Sequence, residues 1–408
     1  MNVILNNKKM PKVLFINPAK NYGSTGKIIE QIGLLSKNSG WDPYLLHSSR
    51  YDNPSKLGSI KVGSTLSEKW HALMALLFDR QGLHSYQATK EAILQIKELK
   101  PDVIHLHNIH GYYINYPLLF QYLKDANVPI VWTLHDCWSF TGHCTYFDMI
   151  GCEKWKLGCH HCENLKDYPK SILCDRSAKN YSLKKDLFTS LHNVTIVPVS
   201  DWLGQMVAQS YMGKYPVRVL HNGVDLKRFR VLSPKRNDGK FRILGVALGF
   251  SGRKGLDDFN KLREILPDNY EITMVGLIGD EINKILPGIR GIARTSTVDE
   301  LVNLYNEADV YINPTYSDNF PTTNIEALAC GTPVITYKTG GSPEAVDSKT
   351  GVVIEQGNVT ALANAIMQMK DHPLSSADCR KRAEECFDKD KCFEKYIALY
   401  EEILRTRS

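Results

Sequence analysis

Ser317-Asp318-Asn319-Phe320-Pro321-Thr322-Thr323-Asn324-Ile325-Glu326-Ala327-Leu328-Ala329-Cys330-Gly331-Thr332-Pro333 places two carboxylates, Asp318 and Glu326, with seven residues between them. The stretch follows a strand-like run, Asp309 to Asn313, and Thr322, Thr323 or Asn324 is expected to cap a helix that carries Glu326 and stops at Gly331. One acid then sits in a loop and the other on the helix. A helix N-terminus with free N–H groups favours phosphate, and a carboxylate one turn further in accepts hydrogen bonds from vicinal hydroxyls. Phosphate beside a diol is the description of a nucleotide sugar.

On either side of this stretch, strand-like runs alternate with helical ones, which argues for parallel sheets covered by helices. The first half offers Val13 to Asn17, Tyr44 to His47, Val103 to His107, Ile130 to His135 and Val194 to Val199. The second offers Phe241 to Leu248, Tyr270 to Gly276, Asp309 to Asn313, Pro333 to Tyr337 and Gly351 to Ile354. Two doubly wound α/β domains follow, and 408 residues suffice for two cores. The expected division is a first domain at 1–221 with a cysteine-rich insertion at 137–174, a polar linker at 222–240, a second domain at 241–388 and a final helix at 389–408. That last segment sets Phe393, Tyr396, Ile397, Tyr400, Ile403 and Leu404 on one apolar face.

The composition, 43% hydrophobic and 23% charged, is that of a soluble globular chain. The polar start, Met1 to Lys12, and the lack of a long apolar run set cytoplasmic residence as the expectation. A net charge of +6, spread along the chain, gives no footprint for nucleic acid. An anionic donor or an anionic membrane face suits it. Leu66 to Phe78 reads either as an amphipathic helix docking on the cytoplasmic face of an inner membrane or as a buried helix of the first domain.

Several residues at predicted strand ends carry chemistry. Gly23 and Ser24 lie in a Gly-rich turn that opens a helix after the first strand, where open α/β sheets bind ligands. Arg253 and Lys254 follow the first strand of the second domain. Two cations there neutralise a diphosphate as charge builds on the leaving oxygen, which is electrostatic catalysis without a catalytic metal. His135 ends a strand, and His105 and His107 alternate onto one side of the strand before it, either as a metal pair or as polar residues at a rim. Cys144, Cys152, Cys159 and Cys162 form C-x7-C-x6-C-x2-C, read as a structural zinc site, as free thiols or as disulfides. Asp388-Lys389-Asp390, before the last helix, reads as capping charge.

The opening stretch resembles the E-x7-E signature of retaining glycosyltransferases of family 4, which have the GT-B fold, with Asp318 where that family usually carries Glu. His221-Asn222-Gly223-Val224-Asp225 resembles the family's interdomain link, Arg253-Lys254-Gly255 its phosphate-binding Lys-Gly, and Thr339-Gly340-Gly341-Ser342-Pro343-Glu344 its Gly-Gly-x-x-Glu. The family commonly has an Arg about five residues before that Lys; here the position falls near Gly249. The resemblance implies two Rossmann-like domains facing a cleft, with the last helix crossing back to the first.

It also implies roles. Glu326 holds the ribose hydroxyls of a nucleotide diphosphate sugar, and Asp318 contacts a hydroxyl of the donor sugar. The backbone at Asn319, Phe320, Pro321 and Thr322 meets the sugar and the distal phosphate, and Arg253 and Lys254 meet the diphosphate. Gly23 and Ser24 contact the diphosphate or the acceptor, and His135 bonds the transferred sugar or positions the acceptor. The implied activity is transfer of a hexose-type sugar to a glycan or lipid-linked glycan in surface polysaccharide synthesis. The rival readings are a nucleotide-sugar epimerase, a sugar phosphorylase and a non-catalytic sugar-nucleotide-binding module.

Overall fold

A computed structural model describes residues 10–232, 238–250 and 252–406, and it divides the chain into two compact units. The first comprises residues up to Val199, Gly204–Leu220 and the segment from Phe393 on; the second comprises Ser200–Leu203 and His221–Cys392. Residues 1–9, the stretch 233–237 within the linker read at 222–240, Ser251 and residues 407–408 lie outside the described residues.

The first unit holds β1 (Lys12–Ile16), β2 (Ala19–Lys20), β3 (Asp42–Ser48), β4 (Tyr51–Asp52), β5 (Gly58–Val62), β6 (Val103–Leu106), β7 (Ile130–Leu134) and β8 (Val194–Pro198). Six of these form one parallel sheet in the order β5-β3-β1-β6-β7-β8, while β2 pairs with β4 alone. Its helices are α1 (Gly23–Asn38), α2 (Thr65–Phe78), α3 (Tyr86–Leu99), α4 (Tyr116–Ala126), α5 (Ser177–Phe188) and α6 (Asp201–Gln209), whose first turn is grouped with the second unit. With helices on both faces, the central strands are buried throughout and read as continuous apolar runs; Val13 to Ile16 and Val103 to Leu106 are fully covered.

The second unit repeats the plan with β9 (Phe241–Val246), β10 (Tyr270–Val275), β11 (Ile289–Ile292), β12 (Val310–Asn313), β13 (Val334–Tyr337) and β14 (Gly351–Ile354), again parallel, in the order β11-β10-β9-β12-β13-β14. Helices α7 (Leu256–Ile265), α8 (Val298–Glu307), α9 (Thr322–Ala329), α10 (Val359–Asp371) and α11 (Ser376–Cys386) cover it. Each sheet reverses its strand order once, between β1 and β6 in the first and between β9 and β12 in the second. Such switch points, at the carboxyl ends of the strands, are where open α/β sheets bind ligands.

Helix α12 (Lys389–Arg405) crosses back, and from Phe393 it belongs to the first unit. The apolar face read from its spacing is buried at Phe393, Tyr396, Ile397 and Tyr400. Its start is capped as expected, the Asp388 carboxylate accepting the Asp390 N–H at 2.9 Å. Further along, Tyr400 bonds His105 Nδ1 at 2.6 Å, His105 Nε2 bonds Thr133 Oγ1 at 2.8 Å, and Thr133 donates to Tyr396 at 3.2 Å. Burial pushes the His105 imidazole well below its ordinary range, so it is neutral, with one nitrogen accepting and one donating. His105 is therefore a fastener for α12: it is fully buried and so does not stand at a rim, and with both ring nitrogens bonded inside the fold it is not one of a metal pair.

Helix α2 is neither wholly buried nor plainly amphipathic toward the core. It buries Glu68, His71 and Ala75 while Leu66, Trp70 and Leu73 stay 78%, 58% and 43% exposed. No helix among the described residues is long and apolar enough to cross a membrane.

Replacing Tyr400 with Phe leaves His105 Nδ1 buried without a partner, which costs about 1–3 kcal/mol. A lower denaturant midpoint at unchanged slope is the expected result, and an unchanged midpoint removes the fastening role.

Candidate active site

The loops after β9 and β12 meet at the switch point of the second sheet, and they carry the cations and the first acid. The Lys254 ammonium is ion-paired with the Asp318 carboxylate. Arg253 Nη1 stands 3.8 Å from the same oxygen and donates to the Ser317 carbonyl at 2.7 Å. The backbone joins in: Tyr316 N–H donates to the Arg253 carbonyl at 2.7 Å, and Thr315 Oγ1 donates to it at 3.1 Å. Residues 64 apart in sequence thus form one cationic corner.

Charge balance in this corner is set by opposing effects. Burial pushes the Asp318 carboxyl up, but Lys254 and Arg253, with the Phe320 N–H, outweigh it and hold the group below its ordinary range. Lys254 moves down: burial disfavours its charge and Arg253 adds to this, against the pull of Asp318. The family-typical Arg position, Gly249, carries no side chain. Arg253 supplies a guanidinium from the other end of the loop, and that loop is held by Glu281, whose carboxylate accepts the N–H of Phe250 at 2.9 and 3.0 Å and of Ile278 at 2.9 Å.

Asn319, Phe320 and Pro321 are buried, and Thr322 opens α9. The expected cap is corrected here. Pro321 is the N-cap, and neither Thr322, Thr323 nor Asn324 caps the helix with its side chain. Asn324 turns inward, bonding Asn313 Nδ2 at 2.8 Å and the Ser342 carbonyl at 3.2 Å, which fixes α9 to β12 and to the turn after β13. The Gly-Gly pair has a steric reason. A Cβ at Gly340, whose φ is +51°, would stand 1.8 Å from the Asp318 carbonyl oxygen, so only glycine lets that turn support the Asp318 loop.

Glu326 lies one turn into α9, half-buried, and its Oε2 accepts the Tyr305 hydroxyl at 3.0 Å. Tyr305, on α8, and Glu281 were not read from the sequence; each lies outside any local motif, and only the sheet brings them to the site. Glu344 closes the motif differently from a ligand contact. It accepts the N–H groups of Asp201 and Trp202 at 2.8 Å each and pairs with His221 Nε2 at 2.8 Å. Asp201, His221 and Glu344 are the one group of three donor residues among the described ones whose atoms lie within 4.8 Å of one another, and these bonds account for it.

In the first unit, Gly23 and Ser24 are exposed in the first turn of α1, which no side chain caps, at the end of β1. His135 follows β7, with Nε2 2.9 Å from His107 Nδ1 and the rings stacked at 5.2 Å. Burial lowers the His135 imidazole to about 4, against the pull of Asp136, so it is neutral at physiological pH. His110 bonds Asp136 at 2.8 Å and Tyr168 at 3.1 Å. Cys144, Cys152, Cys159 and Cys162, four of the six cysteines of the insertion, line one small cavity with His143.

A family profile described as Glycosyltransferase Family 4 matches residues 66–228, and one described as Glycosyl transferases group 1 matches 236–386, so that side by side they span most of the chain. The chain is a glycosyltransferase of the GT-B, family-4 type. It is similar to WcaC of Escherichia coli (strain K12), named for a glycosyl transfer in colanic acid biosynthesis, with 26% identity over 322 residues, 74% of this chain and 77% of that one. Among solved structures, sucrose-phosphate synthase from Thermosynechococcus elongatus superposes with a TM-score of 0.73 at 16% identity, covering 97% of this chain and all of that one. Anabaena Alr3699/HepE, solved in complex with UDP, superposes at 0.65 and 13% identity, covering 96% of this chain and 100% of that one. At these identities the two structures speak for the GT-B fold.

For this glycosyltransferase, Gly340→Ala is expected to push the Asp318 loop out of place with the fold intact. A displacement of about 1 Å at a reacting centre costs about 100-fold in rate. Retained circular dichroism with unchanged kcat/KM would contradict the supporting role of the turn.

Proposed function

We propose that this enzyme transfers a hexose-type sugar, with retention of anomeric configuration, from a nucleotide diphosphate sugar to a glycan or lipid-linked glycan in surface polysaccharide synthesis. The reading rests on one observation: the cationic corner of Arg253 and Lys254 lies at the same switch point as Asp318 and an α9 N-terminus that no side chain caps. Diphosphate suits the cations and the helix amides, and Glu326, steadied by Tyr305, suits the ribose diol. UDP in the HepE complex and the colanic acid pathway in WcaC's name favour a nucleotide donor and a surface glycan.

In this mechanism Lys254 is held by Asp318 until donor phosphate arrives to share its charge. As the glycosidic bond breaks, negative charge grows on the departing phosphate oxygen, and Lys254 and Arg253 stabilise it in place, with no catalytic metal required. Asp318, partly released, accepts a hydroxyl of the donor sugar. Neutral His135 both donates and accepts, which suits a sugar hydroxyl, and Gly23 and Ser24 offer backbone N–H groups to the diphosphate or acceptor. No side chain is assigned as a covalent nucleophile, and attack from the leaving-group face is the route this favours.

Purified protein is expected to be stabilised thermally by its nucleotide-sugar donor, and the product's anomeric proton coupling should match the donor's. Lys254→Ala lowers kcat by about 100–1,000-fold, whereas Glu326→Ala mainly raises the donor KM. Because the Lys254 pKa is lowered, kcat/KM falls on the alkaline side before ordinary lysines lose their charge, and Lys254→Arg moves that limb to higher pH. Wild-type kinetics in both alanine variants, or inversion at the anomeric carbon, would sink the assignment.

We also propose peripheral association with the cytoplasmic face of the inner membrane through α2. Leu66, Trp70 and Leu73 recur on one helical face, exposed, with Lys69 beside them. Near its other end, Ile172 and Leu173 donate backbone N–H groups to Leu76 and Leu77 and stay exposed too, widening the apolar surface. Binding to anionic vesicles in flotation, weakened by Trp70→Glu, is the expected outcome; wild-type protein left in the soluble fraction at low salt would rule it out.

A further inference from the structure

The insertion at 137–174 has little regular structure. Its described turns are three short 3-10 segments, Trp138–Phe140, Asp148–Ile150 and Lys154–Lys156. Its apolar centre is small, Phe147 stacking on Trp155 at 4.8 Å and Phe140 packing on Trp155 at 5.4 Å. A segment this long has few backbone ladders and little core to offset the entropy of ordering it. Something further is needed to hold it.

Cys144, Cys152, Cys159 and Cys162 come from four separate points of this segment and line one cavity of about 20 Å³, room for about one water-sized occupant. Three groups around it are arranged for anionic sulfur and a bound ion. The Gly142 N–H donates to Cys159 Sγ at 3.1 Å, and a Cβ at Gly142 would stand 2.7 Å from Cys159 Cβ, so the approach requires glycine. His143 is held through Nδ1 by the Asp79 carboxylate at 2.6 Å, while its Nε2, fully buried, has no partner among the described residues. A buried polar nitrogen on the lining of a cavity of thiols points to an occupant of that cavity.

The third group is Lys184. It is 2% exposed, bonds the carbonyls of Trp138 and Thr141 at 2.8 and 3.2 Å and sits 3.3 Å over the Trp138 ring, with no ion pair among the described residues. Burial pushes it down to about 7, and Asp79, Cys159 and Cys144 pull it the other way. Asp79 and Asp136 give it some anionic company, and a lysine buried in this way gains from more. Neutral thiols do not supply it, whereas four thiolates around a divalent ion carry a net charge of −2.

We propose that Cys144, Cys152, Cys159 and Cys162 hold one zinc ion as thiolates, which staples the insertion to the first unit. Binding releases the four thiol protons to solvent as four Zn–S bonds form; no electron is transferred. No three of the sulfurs lie within 4.8 Å of one another, whereas Zn–S bonds of about 2.3 Å put tetrahedral sulfurs about 3.8 Å apart. The ion draws them in. Four sulfur donors select zinc over harder cations. Four thiolates complete the tetrahedral shell, which leaves His143 and Lys184 as neighbours of the site and not as ligands. Tyr168, within the insertion, bonds His110 at 3.1 Å, and His110 bonds Asp136, the residue after His135, at 2.8 Å, so the stapled segment bears on that turn.

Protein purified from zinc-replete cells should contain about one zinc per chain by elemental analysis, released in full when an organomercurial titrates the thiols. Cys152→Ser/Cys159→Ser should fall below about 0.1 zinc per chain and gain protease cuts within 137–174. His143→Gln should keep its zinc. Wild-type protein with less than about 0.1 zinc, with iron in its place, or with these cysteines oxidised in pairs by mass and thiol count overturns the proposal. Loss of zinc from His143→Gln overturns the four-sulfur shell. The wild-type release measurement needs no variant and so stands even where the serine protein fails to fold.

Discussion

A half-buried ion pair holds the site together. Lys254 and Asp318 approach from two loops that leave neighbouring strands of one parallel sheet, and each is unfavourable there without the other. Taking a single charge out of water costs several kcal/mol, and the pair recovers it only while both partners are in place. Arg253 leaves the corner with a surplus of positive charge, which an anionic ligand satisfies. The corner is therefore stable before a ligand arrives and attractive to one when it does, and no separate device is needed to keep the cations apart.

Around this corner the structure spends its precision on backbone position rather than on added side chains. Glu281 ties the loop after β9 to the one after β10 through the N–H groups of Phe250 and Ile278, Asn313 and Asn324 fix α9 to the sheet, and Gly340 allows one turn to lie against another. In the first unit the same economy applies to imidazoles. His105, His107 and His135 are all pushed down by burial, so the row is uncharged and serves as a set of oriented donors and acceptors.

Ten strands of the two main sheets were legible in the sequence, because strands covered on both faces read as unbroken apolar runs. The two that escaped, β5 and β11, are the outermost strands of their sheets on the same side. Gly58–Val62 buries only Ile60 and Val62, and Ile289–Ile292 contains Arg290 and Gly291, so neither shows a run. The acids and cations of the site were legible because they sit in short motifs at strand ends. Tyr305, Glu281 and the Asp79–His143 contact were not, since they join residues 21, 31 and 64 positions apart through folding alone. The cap of α9 was misread for a local reason: threonines after a proline look like caps, but Pro321 already sets the bend, and Asn324 is drawn inward by Asn313.

The return of α12 bears on how the chain is made. Trp41, His105 and Thr133 are synthesised early, yet the groups that cover and satisfy them, Tyr396 and Tyr400, emerge from the ribosome more than 260 residues later. Until then the first sheet carries an uncovered tryptophan and an unfastened histidine while the second half is still being translated. Its final locking is an event of late synthesis, and a nascent chain stalled before residue 393 would present that surface to chaperones in place of its own helix.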